Sequence, residues 1–231
     1  MSGLPWARRI AAVASLGDET RRKLFAYVAS EDVPVSRNDA AAALGLPRST
    51  ASFHLDRLVH DGLLAVEFRK LGGREGPGSG RPAKLYKAGV PEVAASVPER
   101  NYDLAAELLV SAIEESTTAG VPARDALVRA AYERGQAAAR GQGAAAFAEL
   151  LAEEGYRPED DGEGGLMLLN CPFHRIAEGH AVVCAMNGAF LAGAAAGCGI
   201  AAQGVEALAV EELRKTGAAA PGQCCARIRP V

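Results

Sequence analysis

Apolar positions recur at helical spacing along most of this chain and alternate only in short stretches. Leu16–Ser30 (LGDETRRKLFAYVAS) predicts a helix with Leu24, Phe25 and Val28 on its apolar side and Asp18 as its N-cap. Asn38–Leu44 predicts a second, short helix, capped by Ser36 or Arg37–Asn38 and stopped by Gly45. The turn Gly45-Leu46-Pro47 leads into Arg48–Asp61 (RSTASFHLDRLVHD), where Ala51, Leu55 and Leu58 recur at i, i+4 and i+7 and define a core face. Leu64, Val66 and Phe68 then alternate as a strand should, and the Gly-rich turn Gly72–Pro82 separates them from a second run, Ala83–Lys87. Helix, Gly-containing turn, second helix and hairpin predict a winged helix-turn-helix domain over residues 1–90.

Gly89–Arg100 (GVPEVAASVPER), with two prolines, reads as a linker. Beyond it, Tyr102–Thr117 predicts a helix with Leu104, Leu108, Leu109 and Ile113 along one side. Ala123–Arg140 and Ala144–Glu154 predict two more. These helices could pack on their own domain or pair with a second copy, and a homodimer is the expectation for a helix-turn-helix protein that reads two half-sites. From Tyr156 the pattern changes. Tyr156–Asp160 and Leu166–Asn170 flank a turn-rich stretch and predict a hairpin, a helix runs from about His174 towards Gly197, and strands follow near Glu206–Val210 and Cys224–Ile228. The fold class is α+β: an N-terminal winged helix-turn-helix domain, then a helical middle segment and a C-terminal α+β domain within residues 91–231.

Charge sharpens this division. Residues 1–90 hold 14 Lys and Arg against 9 Asp and Glu, whereas residues 91–231 hold 11 against 19. A basic part joined to an acidic one suits a domain that meets a polyanion beside one that does something else. On the second helix of the motif, Arg48, Ser49, Thr50, Ser52, Phe53, His54 and Arg57 fall on the outer side, where short hydroxyls suit phosphate and Arg can reach guanine edges. Arg74 and Arg81 sit at the wing tip, with Arg69, Lys70, Lys84 and Lys87 on its stems, placed to follow a phosphate backbone of double-stranded DNA. No membrane segment is expected. The run after Arg8 and Arg9 is short and ends in Asp18–Glu19, and residues 181–205, although uncharged, are mostly Ala and Gly and read as a closely packed core helix. The expectation is a cytoplasmic protein with free thiols.

The candidate chemistry lies in Asn170–Cys184 (NCPFHRIAEGHAVVC), which holds two of the five cysteines and two of the four histidines. Twelve residues separate Cys171 from Cys184 and thirteen separate Cys184 from Cys198, with Cys224 and Cys225 adjacent near the end. Thiols and imidazoles are ligands for transition metals and iron–sulfur clusters, but these gaps are not the C-x2-C pattern of zinc ribbons. Along an unbroken helix Cys184 and Cys198 would stand roughly 21 Å apart. In a strand, Cys224 and Cys225 would point to opposite faces, leaving one of them out of any shared site. His180 lies one helical turn before Cys184 and His174 near the helix start, so each is a candidate fourth ligand or a bystander. His60 is expected at a helix end.

The segments RSTASFHLDRLVHDGLL, GRPAKLY, NCPFHRIAEGHAVVC and GQCCARI together resemble the SufR-type iron–sulfur repressors, winged-helix regulators distantly similar to the ArsR group. The resemblance spans both domains and is most specific at CPFH…C. It implies a homodimeric repressor of iron–sulfur cluster assembly genes, with a [4Fe–4S] cluster in a C-terminal sensor domain controlling operator binding. It implies Cys171, Cys184 and one of Cys224 or Cys225 as thiolate ligands, with Cys198 as a further candidate. The alternatives keep the DNA-binding domain but sense zinc, arsenite, thiol oxidation or a small organic ligand. An enzyme is not expected. A Cys171 nucleophile with His174 or His180 as base would lack an orienting residue and leave the N-terminal domain unexplained.

Overall fold

The computed structural model describes residues 5–69, 82–201, 204–208, 215, 217 and 219–229. They fall into two compact units, Met1–Ala95 and Ser96–Val231. Lys70, Arg74 and Arg81 of the wing lie outside the described residues.

In the first unit, α1 (Trp6–Ser15) precedes α2 (Glu19–Ser30), whose N-cap Asp18 accepts the Arg21 amide at 2.8 Å. A short strand, β1 (Val35–Ser36), runs directly into α3 (Arg37–Ala43). Ser36 and Asp39 form a reciprocal capping box there, satisfying two amides at the helix start. Gly45 takes φ 62°, a left-handed turn open to glycine without cost, and directs the chain into α4 (Arg48–His60). Strands β2 (Leu64–Arg69) and β3 (Ala83–Ala88) pair antiparallel with Val66 opposite Tyr86, and β1 joins the other edge of β3. Leu24, Val28, Ala40, Ala51, Leu55, Leu58, Leu63 and Tyr86 fill the core between helices and sheet. This is the winged helix-turn-helix arrangement that the local pattern predicts.

The second unit begins with α5 (Tyr102–Ala119), capped by Asn101 and ended by left-handed Gly120. After α6 (Ala123–Ala138), a 3-10 turn at Ala144–Ala146 runs into α7 (Phe147–Glu153). Next come β4 (Pro158–Asp160), β5 (Leu166–Leu168), α8 (His174–Ala177), α9 (Ala181–Gly197), β6 (Val205–Ala207) and β7 (Ala226–Ile228). The four strands make an antiparallel sheet of order β4-β5-β7-β6.

Three sequence expectations change. The helix expected from His174 to Gly197 is two helices, because Gly179 at φ 82° turns the chain between α8 and α9. The last strand starts at Ala226, so Cys224 and Cys225 precede it and strand alternation does not govern them. On α5, Leu104 and Leu108 are buried, but Leu109 and Ile113 are 38% and 60% exposed on another face.

The Ala/Gly composition of α9 has a packing cause. A Cβ on Gly135 of α6 would overlap the Phe190 carbonyl oxygen, and one on Gly193 of α9 would overlap the Tyr132 carbonyl oxygen. The two helices therefore meet backbone to backbone, with Phe190, Leu191 and Met186 filling the remaining core. No helix among the described residues is long and apolar enough to cross a membrane. Gly193→Ala is expected to destabilise the protein by about 1–3 kcal/mol through overpacking. Gly188→Ala, whose added Cβ would meet nothing within 4 Å, is expected to be neutral or stabilising by up to ~1 kcal/mol. Denaturant midpoints of the two variants check this contrast.

Candidate DNA interface and thiol site

The outer side of α4 carries the first candidate site. Arg48, Ser49 and Phe53 are exposed, with Thr50 and Ser52 half-buried beside them. A shallow groove of about 470 Å³ is lined by Arg48, Ser49, Ser52, Phe53 and Asp56 together with Arg37 from the start of α3. Arg37 was not among the sequence candidates. Its signal was its place at the first position of the preceding helix, where it faces the groove across the turn.

Two nominated side chains are otherwise engaged. His54 is only 15% exposed at its side chain, with its Nδ1 4.0 Å from an Asp18 carboxylate oxygen, so it faces the cap of α2 and not solvent. Arg57 donates to Asp61 at 2.9 Å, one helical turn on. Asp61 also lies 3.0 Å from His60 Nδ1 at the helix end. The wing stems are tied inward too. Lys84 Nζ and the Tyr86 hydroxyl both donate to one carboxylate oxygen of Asp56 on α4, at 2.5 and 2.8 Å. Lys87 and Arg69 each pair with Glu67. These hydrogen bonds and the β2–β3 ladder hold the wing stem against the second helix of the motif.

In the second unit, four of the five cysteines come together from three places in the chain. Cys171 lies just after β5, Cys184 in the first turn of α9, and Cys224 and Cys225 just before β7. Main-chain bonds fix the approach: the Cys224 amide donates to the Leu168 carbonyl at 2.9 Å, and the Cys171 amide donates to the Gly222 carbonyl at 3.0 Å. The thiols interact as neighbours in the order Cys171–Cys224–Cys225–Cys184. Donation from Cys224 lowers the Cys171 thiol below its ordinary value against the opposing effect of burial, and the Phe173 amide and Arg100 charge act in the same direction. Donation from Cys184 and Cys224 lowers Cys225. Cys224 itself, interacting with both neighbours and fully buried, is pushed well up.

Asn187, one turn beyond Cys184 on α9, donates its side-chain amide to Cys224 Sγ at 3.1 Å. The Tyr156 hydroxyl holds that amide by donating to Asn187 Oδ1 at 2.5 Å. Burial, then the neighbouring Cys224 and Cys171 thiols, push Tyr156 far up, so it remains the protonated donor. Sequence reasoning missed Asn187 and Tyr156. The available signal was one polar residue in an otherwise apolar helix, three positions after a cysteine.

Cys198 stands apart. Helix α9 is continuous from Ala181 to Gly197, which sets Cys198 roughly 21 Å along the axis from Cys184, and burial alone raises its thiol. His174 starts α8 with Nε2 3.4 Å from Glu178, and His180 is exposed at the residue before α9. Among the described residues no group of three or more His, Cys, Asp or Glu side chains is arranged to hold a single metal ion. The four thiols lie in a contact chain and not around one point. Soft sulfur donors, with Asn187, the Phe173 amide and Arg100 favouring negative charge on them, nonetheless fit the chemistry of thiolate ligation.

A family model described as a helix-turn-helix domain matches residues 16–67. The match covers α2, α3, α4 and the first part of β2. No curated protein matches the chain. The matched module binds DNA and is not a catalytic one, so the chain carries a DNA-binding helix-turn-helix domain, with the β2–β3 hairpin as its wing.

Proposed function

We propose that this protein is a transcriptional repressor of iron–sulfur cluster assembly genes, with operator binding dependent on a [4Fe–4S] cluster held by Cys171, Cys184, Cys224 and Cys225. The observation that carries this reading is the convergence of four thiols from three separate segments in a chain that also bears a helix-turn-helix domain. Hydrogen bonds to the sulfurs support it, since N–H donors aimed at thiolates stabilise their negative charge and tune a cluster. What a cluster supplies when bound is an oxidisable link among these three segments. Residues of the chain do the rest: the segment at Cys171, the start of α9 and the Cys224–Cys225 segment are held in one arrangement or released from it. Regulation requires that one arrangement favour DNA binding.

Anaerobic purification is expected to yield a brown protein with iron and sulfide in equal amounts. Cys171→Ser and Cys225→Ser are expected to lose most of the iron, and Cys198→Ser to keep it. A colourless protein without iron after anaerobic reconstitution with ferrous iron and sulfide would refute the reading.

A second reading, direct thiol oxidation, is favoured by the contact between the thiols. Closure of Cys171–Cys224 and Cys184–Cys225 would release two protons and two electrons per disulfide to an oxidant such as a peroxide. Iron-free protein whose DNA binding is lost on peroxide treatment and restored by dithiothreitol would favour it.

The repressor is further proposed to act as a homodimer through the exposed α5 stripe of Leu109, Val110 and Ile113. A second copy is the occupant that a half-site reader needs, and a helix stripe can meet its own copy across a twofold axis. Ile113→Glu is expected to shift the protein to monomer in sedimentation equilibrium. Affinity for a duplex enriched from a randomised pool by the wild type should fall on the order of 10²-fold. Arg48→Ala, leaving the dimer intact, is expected to weaken the same duplex by about 1–3 kcal/mol, or uniformly across sequences with a salt slope lower by about one if it meets phosphate.

A further inference from the structure

Residues 96–101, which open the second unit, are laced to the segment that presents Cys171. Arg100 Nη1 donates to Asn170 Oδ1 at 2.5 Å and to the Cys171 carbonyl oxygen at 3.1 Å. Asn170 Nδ2 donates back to the Glu99 carbonyl at 2.9 Å and to the Gly155 carbonyl at 2.6 Å. The Asn101 amide donates to the Pro172 carbonyl at 3.2 Å. The Arg100 amide donates to Ser96 Oγ at 2.8 Å, which folds the linker end onto itself. Asn170 is buried, so breaking these bonds without replacement leaves polar groups unpaired away from water.

We infer that Arg100 and Asn170 are positioning residues that couple the thiol site to the chain segment leading into the DNA-binding unit. The inference rests on the sensor reading above and adds its route. Cys171 is a ligand candidate, and its own carbonyl and both its neighbours, Asn170 and Pro172, are bonded to residues 99–101. A shift of the Cys171 main chain therefore moves residues 99–101 or breaks the lacing. Asn101 also caps α5 through the Leu104 amide and donates to Glu154, so the same shift reaches the start of α5. Covalent continuity carries it from Ser96 towards residue 95 and the preceding unit. Asn170 is the hub: its two amide hydrogens go to two different strands of chain, and its oxygen receives the guanidinium. Lys at position 100 would keep the charge and a terminal donor but lose the rigid guanidinium that holds Nη1 between Asn170 Oδ1 and the Cys171 carbonyl.

The test uses the full-length chain under anaerobic conditions, once reconstituted with ferrous iron and sulfide and once stripped by chelator under reductant. Affinity for the duplex enriched by the reconstituted wild type is measured in both states. Arg100→Ala and the wild type are compared at equal iron and sulfide content, and the variant's loaded-to-stripped affinity ratio is expected to fall by about tenfold or more towards one. Arg100→Lys is expected to recover part of the ratio, and it is the deciding variant if Arg100→Ala does not fold. Hydrogen exchange at residues 99–104 should differ between the two states in the wild type and lose that difference in the variant. Iron-loaded Arg100 variants with an unchanged ratio would overturn the coupling and leave the sensor reading standing. A wild type with equal affinity in both states would overturn the sensor reading, and the coupling with it.

Discussion

The backbone contact between α6 and α9 is the constraint on which the second unit depends. Gly135 and Gly193 remove the side chains that would hold these helices apart, and the carbonyls of Phe190 and Tyr132 occupy the space that a methyl group would need. Helices this close cannot slide without collision, since packed interiors do not deform continuously. The axis of α9 is thereby fixed, and Cys184 and Asn187, one turn apart on it, inherit that position. The sheet supplies the opposing wall, where Leu168 and Gly222 pin the main chain at Cys224 and Cys171. A rigid helix pair and a short sheet thus meet across a set of sulfur atoms.

Much of the first unit was legible because its signals are local. Asp18 and Ser36 cap the helices they precede, Gly45 turns where only a glycine turns cheaply, and Ala51, Leu55 and Leu58 mark a face that the core then buries. Local signals also mislead. The apolar flow from His174 to Gly197 hides a break at Glu178–His180, centred on left-handed Gly179. Periodicity groups Leu109 and Ile113 with Leu104 and Leu108, but it cannot tell a face buried within one chain from a face left for another. The residues around the thiols were the least legible. Arg100, Asn170, Tyr156 and Asn187 are far apart in sequence, and their meeting is set by the α6–α9 contact and the sheet register, which no window of residues contains. Cys224 and Cys225 were expected to diverge in a strand, and the strand begins two residues after Cys224, at Ala226, so its alternation does not separate them.

The thiol chain has a chemical asymmetry. Cys224 lies between Cys171 and Cys225, and burial together with both neighbours makes it keep its proton most firmly. Its neighbours are biased towards the thiolate. Ligation by all four sulfurs requires removal of that central proton, because thiols bind metals as thiolates. Under the proposed cluster reading, loading would therefore release a proton, and Asn187, already aimed at Cys224, offers the donor that would remain once the thiol proton had gone.

Asp56 has a quieter consequence. By accepting from both Lys84 and Tyr86 it riveted the wing stem to the second helix of the motif, and the ladder from Val35 through Tyr86 to Val66 ties the same strand to the rest of the sheet. Recognition helix and wing stem make one solid piece. Such a reading head leaves little within it for any signal to reshape.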